Sequence, residues 1–366
     1  MKVLAITPGT TEIALIDRPE PAVGKPTELK LKVLQVGICG TDREEAAGGR
    51  VDAPAGNTQL VIGHEMFGQV VETGASVRIA KPGDYGVFMV RRPCGVCVAC
   101  LEGRSDMCLT GNYTERGIKG ADGFQQEFVL DEEAYFLKVP AAIRHLGVLT
   151  EPMSVGEKAI DEAVRIQAAR LPNVNPQTWL QGKRALVVGL GPIGLLAVAI
   201  LRLRGADVTG LDIVDADSIR ARTLRDFGGQ YVDGRQVKTL DLDDTLGQID
   251  FIFEATGVAQ LEFDLIDALG INGVYVLTGI PAGDRPVTMQ PGSLMQQLVL
   301  KNQIMLGSVN ASYEHYRMAI EDLEAANEQF PAAMANIITD RHPYTNFMDA
   351  LAHHGPNEIK CVLEWN

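Results

Sequence analysis

The sequence has 366 residues, 46% hydrophobic and 22% charged, and a formal net charge of −14. That length is too great for one ordinary core and points to about two domains, while the composition is that of a soluble globular chain. The acidic balance argues against a nucleic-acid partner, whose phosphates call for Lys and Arg.

The first residues, "MKVLAITPGTTEIALIDRPEP", contain no long apolar run of the secretory-leader kind. The most apolar window, "LVVGLGPIGLLAVAI", falls short of the ~20 residues needed to cross a bilayer. The cytoplasm is therefore the expected location, with no membrane partner. Its reducing conditions favour metal binding over disulfides for clustered cysteines.

Next comes "LKLKVLQVGICGTD", which alternates apolar and polar residues and then breaks at Gly37 and Gly40. It reads as a strand delivering Cys39 to a loop. Thr41 places a hydroxyl beside that thiol, and Asp42 is a carboxylate able to orient an imidazole. "VIGHEMFGQVVETG" (61–74) brings His64 and Glu65, and "LTEPMSVGEKAI" (149–160) brings Glu151. One thiolate, one imidazole and one carboxylate from three segments, plus an open position, make a catalytic zinc set, with Glu65 a fourth, exchangeable ligand. Each residue alone also has a bland reading: a buried small hydrophobe, a satisfied histidine, a pre-proline turn.

Between them lies "CGVCVACLEGRSDMC", whose Cys94, Cys97, Cys100 and Cys108 follow C-x2-C-x2-C-x7-C. The x2 spacing lets tight turns at Gly95 and Gly103 aim sulfurs at one tetrahedral zinc. An iron–sulfur cluster would continue x3-C-P, which is absent; incidental thiols or disulfides are the remaining alternatives. Four thiolates fill the coordination shell, so this zinc is structural and catalysis lies elsewhere.

After the connector "ARLPNVNPQTWLQGKR", the chain alternates strand and helix from about 183 to 310, which indicates a parallel sheet. "RALVV" reads as a buried strand, "GLGPIG" as a tight turn, "PIGLLAVAILRLRG" as an apolar helix and "ADVTGLD" as the next strand. Gly189, Gly191 and Gly194, with Pro192 and Ile193 between, fit G-x-G-x-x-G in its required context, and Asp212 is the acid at the end of the second strand. Phosphates would sit at the helix N-terminus. The Asp212 carboxylate would accept from the ribose hydroxyls of NAD and repel the 2′-phosphate of NADP, and Ile213 and Val214 follow where arginine would serve NADP. "DFIFEATG" (250–257) and "GVYVLTGIP" (273–281) add strands ending at Thr256 and Gly279, where cofactor could lie, and "VAQLEFDLIDALG" between them has helical spacing.

Taken in order, "GICGTDRE", "GHEMFGQVVETG", "CGVCVACLEGRSDMC", "TEPMSVGEKAI", "VVGLGPIGLLA", "EATG" and "NEIKCVLEWN" resemble the zinc-dependent medium-chain dehydrogenases over essentially the whole chain. Within them the chain is similar to the archaeal-type glucose dehydrogenases. The resemblance implies an α/β chain: a GroES-like, β-rich catalytic domain with a zinc lobe (1–182), a doubly wound Rossmann domain (183–310) and a C-terminal return to the catalytic domain (311–366). It implies two zincs per chain, the catalytic one held by Cys39, His64 and Glu151 with Glu65 entering or leaving, and the structural one by the four clustered cysteines. Thr41 matches the first proton acceptor, and Glu115 and Asn310 match sugar-contacting positions, Asn310 also lying where cofactor is reached. It implies a homodimer or homotetramer.

Two positions depart from that pattern. Val90 stands for an asparagine lining the sugar site, and Val155 for an aspartate just after the zinc-ligand loop. A site lacking partners for hydroxyls discriminates against polyols. The expected activity is thus oxidation of an aldose at C1 with hydride transfer to NAD(P), NAD preferred. A polyol or secondary-alcohol dehydrogenase is the alternative, and a non-catalytic NAD-binding sensor a second. A zinc-ribbon nucleic-acid binder is disfavoured by the lack of a basic stripe near residues 94–108. His353 and His354 read as an exposed turn.

Overall fold

The computed structural model describes residues 1–49, 51–281, 286–352, 355 and 357–365, so His353 and His354 lie outside the described residues. The chain forms two compact units, one of Met1–Ser154, Asn310–Glu324 and Ile338–Asn366, the other of Val155–Val309 and Ala325–Ile337.

The first unit is built around the strand Glu28–Ile38. Its residues Leu29, Leu31, Val33, Val36 and Ile38 are buried, and it pairs antiparallel with Glu65–Thr73, Phe128–Glu132 and Lys360–Glu364. Gly37 lies opposite both Glu65 and Val362, so the end of this strand gathers residues from three distant segments. Tyr85–Phe88, Phe136–Val139 and Ile338–Pro343 complete a seven-stranded sheet. Leu4, Ile6, Leu60, Ile62, Phe88, Phe124, Leu363 and Trp365 fill the core beside it. A small sheet of Arg91–Arg92, Thr114–Arg116 and Gly120–Ala121 carries the cysteine-rich lobe.

The second unit is a six-stranded parallel sheet in the order Gln230–Asp233, Asp207–Asp212, Arg184–Val188, Ile249–Glu254, Leu269–Leu277, Ile304–Gly307. In local numbering that is 3-2-1-4-5-6, the dinucleotide-binding order. The strand Arg184–Val188 is buried from its second residue onward, as a central parallel strand must be. The helix Pro192–Leu203 starts with proline at its first position, where no N–H is needed, and is buried from Gly194 to Leu201.

Packing divides the chain differently from the sequence-based division at 182/183. The 21-residue helix Thr150–Arg170 begins in the first unit, but residues from Val155 on belong to the second. Gln167 Nε2 donates to the Asn272 carbonyl at 2.7 Å and Arg204 pairs with Glu157 at 2.7 Å. The proline-bearing connector therefore lies inside the second unit. Residues 325–337, assigned to the C-terminal return, also pack there, with Phe330 edge-on to Phe227. The helix expected over 258–270 is only Ala259–Asp264, because Leu269 already pairs with Ile249 in the sheet.

The glycine turn explains its own composition. Gly189 has φ 88°, in the left-handed region. A Cβ on Gly194 would stand 1.8 Å from the Gly189 carbonyl oxygen. Gly194→Ala is therefore expected to lower the melting temperature and weaken NAD binding, since overpacking costs roughly 1–3 kcal/mol. Thermal melts and calorimetric titration with NAD check it; an unchanged melt with unchanged binding contradicts the packing argument.

Candidate active site

Cys39 caps the short helix Gly40–Ala46, and Asp42 sets its geometry. One oxygen of Asp42 accepts from the Cys39 backbone N–H at 2.8 Å; the other faces His64 Nδ1 at 3.9 Å. The far nitrogen of that ring, Nε2, lies 3.2 Å from Cys39 Sγ. Donor atoms of Cys39, His64 and Glu65 all lie within 4.8 Å of one another. Thr41 follows Cys39 in the first turn, partly exposed.

Glu151 is outside that compact trio but interacts electrostatically with both His64 and Glu65. It lies in the first turn of the helix Thr150–Arg170, not in a pre-proline turn. Pro152 is tolerated there because N-terminal helical N–H groups have no partner within the helix.

Two buried side chains that the motifs did not flag complete the surroundings. Lys360, from the strand Lys360–Glu364, forms an ion pair with Glu65. A Cβ on Gly37 would stand 1.9 Å from Glu65 Oε2 and 2.8 Å from Lys360 Cε, so only glycine lets this pair form. Glu45 is fully buried, with neither carboxylate oxygen hydrogen-bonded. Only the sheet register brings Lys360 here, and Glu45 carried no signal beyond its place in a short acidic helix.

The electrostatics follow from crowding acids in the interior. Asp42, Glu45, Glu65 and Glu151 are all buried, against the cations Lys360 and, when protonated, His64. Burial, then Asp42, pushes Glu45 up to about 9; burial, then Glu65, pushes Glu151 up to about 7. Burial also raises the Cys39 thiol, with Asp42 adding to it. For His64 burial alone favours the neutral ring, but Cys39 and Asp42 outweigh it and raise its pKa. A soft thiolate, an imidazole and a carboxylate amid excess negative charge suit a zinc ion, which would reverse these shifts for its ligands.

In the cysteine lobe, the four sulfurs of Cys94, Cys97, Cys100 and Cys108 also lie within 4.8 Å of one another, and all six cysteines of the chain are free thiols. The Cys97 N–H donates to Cys94 Sγ and the Leu109 N–H to Cys97 Sγ, both at 3.5 Å. A hydrogen bond with Thr110 and backbone N–H groups lowers Cys94 to about 5. Burial pushes Cys100 up to about 12. N–H bonds to sulfur are what a zinc-tetrathiolate loop provides, so this set fits the metal too.

Glu115 and Asn310 meet: Asn310 Nδ2 donates to Glu115 Oε1 at 2.8 Å. Val90 is buried, and Val155 is half-buried on the helix Thr150–Arg170.

In the second unit, the ends of three strands converge. A Cβ on Gly189 would meet Thr256 Cγ2, and one on Gly279 would meet the Gly257 nitrogen. Thr256 donates through both its N–H and its hydroxyl to Glu254. At Gly191 a Cβ would meet nothing within 4 Å, so the packing of the protein does not itself demand glycine there. Asp212 holds the turn, accepting from Leu190 N–H at 2.7 Å and Ile213 N–H at 2.6 Å. Arg220 lies 4.0 Å from it, and Arg235 pairs with Asp215 and Asp233. Neither arginine directly follows the second strand, so the motif gave no sign of them.

Known proteins resemble this chain over its whole length. Residues 25–141 match the alcohol dehydrogenase GroES-like domain, and residues 142–365 match the glucose dehydrogenase C-terminus. The chain is 39% identical to glucose 1-dehydrogenase 2 of Vulcanisaeta moutnovskia and 35% identical to glucose 1-dehydrogenase of Methanocella arvoryzae, each alignment covering 100% of this chain and 99% of the relative. The chain belongs to the zinc-dependent medium-chain dehydrogenases, in the archaeal-type glucose 1-dehydrogenase group. The Haloferax mediterranei glucose dehydrogenase, solved in complex with NADP, Zn and gluconolactone, superposes with a TM-score of 0.89 at 32% identity, covering 100% of this chain and 99% of that one. As a member of this group the chain is an oxidoreductase. Among the described residues no helix is long and apolar enough to cross a membrane.

Glu45 yields a pH prediction. In zinc-depleted protein it stays protonated at pH values where the unfolded chain has already ionised it, so folding takes up a proton and stability falls between about pH 5 and 9. Glu45→Gln should raise the melting temperature at pH 8 and leave it nearly unchanged at pH 5. Melts of zinc-depleted protein at both pH values check this, and a gain of equal size at both would contradict it.

Proposed function

We propose that this dehydrogenase oxidises the C1 hydroxyl of an aldose to the lactone, with hydride transfer to NAD(P). The observation that carries the proposal is the largely buried Cys39–His64–Glu65 donor set in the same unit as the Glu115–Asn310 pair, a donor set that suits a metal and a fixed carboxylate that suits sugar hydroxyls. The relatives named for glucose oxidation support it.

We assign the catalytic zinc to Cys39, His64 and Glu151, with Glu65 as the exchangeable ligand, and a structural zinc to Cys94, Cys97, Cys100 and Cys108, giving two per chain. When bound, the catalytic zinc supplies a Lewis acid for the C1 oxygen and the nicotinamide a hydride acceptor. Asp42 orients the ring of His64 and fixes the backbone of Cys39. Thr41 Oγ1 takes the hydroxyl proton and hands it toward solvent. Glu115 accepts from a sugar hydroxyl. Lys360 holds Glu65 through their ion pair, which sets how readily that carboxylate can move to the metal.

For the cofactor, we infer that Gly189, Gly191, Pro192, Ile193 and Gly194 receive the pyrophosphate, that Thr256 and Gly279 lie against the cofactor, and that NAD is preferred. The acidic surroundings of Asp212, Asp215 and Asp233 support the preference, since both nearby arginines, Arg220 and Arg235, already face carboxylates. One observation favours a second substrate reading, a secondary alcohol or less hydroxylated polyol: Val90 contributes a buried apolar surface where the group's sugar sites are polar. A homodimer or homotetramer is proposed. Its support is the exposed Met295, Val299 and Leu300 beside the edge strand Ile304–Gly307.

Cys39→Ala and His64→Ala should each cut turnover of glucose by roughly a thousandfold or more, with NAD binding retained and zinc falling from two to one per chain. Turnover of aldoses, polyols and secondary alcohols, run beside metal analysis, checks this; full turnover in a variant holding one zinc would refute the metal assignment. Asp212→Ala should weaken NAD far more than NADP in paired titrations, and equal weakening would overturn the ribose assignment.

A further inference from the structure

The small sheet beside the cysteine lobe holds an arrangement that the group's motifs do not explain. Arg91 and Glu115 stand opposite each other in the antiparallel pairing of Arg91–Arg92 with Thr114–Arg116. Arg91 is buried and donates through Nε (3.1 Å) and Nη2 (2.8 Å) to a single oxygen of Glu115, Oε1. Asn310 Nδ2 donates to that same oxygen at 2.8 Å. Three donors thus converge on Oε1, while Oε2 takes none among the described residues and the Glu115 side chain keeps 12% exposure. Arg–carboxylate pairs frequently spread the fork over both oxygens; this one does not. One oxygen is thus saturated while the other keeps its lone pairs free of protein donors among the described residues.

The guanidinium has a third arm. Arg91 Nη1 donates to the Asp106 carbonyl at 3.0 Å, in the turn Ser105–Met107 that lies between Cys100 and Cys108. The Tyr113 ring lies against its face, 3.8 Å from ring centre to guanidinium carbon. One planar group therefore connects the acceptor carboxylate to the backbone of the thiolate lobe. Lysine supplies the charge but not the rigid fork, so it can reproduce this only in part.

We propose that Arg91 is the positioning residue of the sugar site: it locks Oε1 of Glu115, aims Oε2 at a substrate hydroxyl, and makes that aim depend on the cysteine lobe through Asp106. The inference rests on the reading of Glu115 as a sugar contact. It gives the lobe a second role: a zinc held by its four cysteines would steady the turn that anchors Arg91, so losing it would degrade sugar binding while leaving Cys39, His64 and the cofactor residues in place.

The test is steady-state kinetics with glucose on the zinc-loaded enzyme. Arg91→Gln should raise KM by roughly tenfold or more, the scale of one charge-assisted hydrogen-bonded contact, with kcat within about threefold and with NAD affinity and zinc content unchanged. Arg91→Lys should recover part of the KM. Cys108→Ser should raise KM in the same direction. Tyr113→Leu, a milder change at a half-buried ring, should give a smaller rise and serves if the Arg91 variants do not fold. A fall in kcat and melting temperature at unchanged KM would show Arg91 to be structural only and overturn the proposal. If the wild-type enzyme oxidises no aldose, the sugar reading fails and this inference falls with it; if it oxidises glucose and KM is indifferent to Arg91 and Tyr113, this inference alone fails.

Discussion

The first unit is organised around an electrostatic problem: four carboxylates and a thiol share a buried volume with one lysine and one histidine. Burying ionised groups without compensation is costly enough that they shift their protonation, as Glu45 and Glu151 do. The fold meets part of the deficit with the Lys360–Glu65 ion pair, and the remaining negative charge lies at the thiol, imidazole and carboxylate proposed above to hold zinc. Affinity for metal and stability of the fold are therefore two aspects of one balance of charge.

The strand Glu28–Ile38 makes that balance possible. It lies between the strands carrying Glu65 and Lys360, and it hands the chain directly to Cys39. Gly37 marks the spot where those partners need space that a side chain would fill. Asp42 then fastens the backbone of one donor while facing the ring of the next. The result is a site whose parts come from distant segments and whose aim is set by sheet register, which loops alone would hold less rigidly.

Much of this was legible in the residues. The strand Arg184–Val188, the glycine turn and the helix from Pro192 stand where strand–turn–helix chemistry requires them, because each is fixed by local sterics. That the four clustered cysteines, and Cys39, His64 and Glu65, would come together was readable because metal-binding patterns restrict residue type sharply. Lys360, Glu45 and Arg91 were not, because their partners are set by register and burial. The position of the unit boundary was hidden for a related reason: a continuous helix runs through it, and composition does not change inside a helix. The end of the helix near 264 yielded to sheet pairing, which overrode a helical pattern.

Sequence separation gives the ion pair of Lys360 and Glu65 a consequence for biosynthesis. The helix that follows Cys39 is tied to the same late segment, Arg43 meeting Glu358 from 315 residues away. On the ribosome, the thiol, the imidazole and their crowded acids emerge long before the lysine that offsets them. Contacts so remote along the polypeptide are the last that can close. The lysine that offsets Glu65 therefore joins the site only after the second unit has been synthesised.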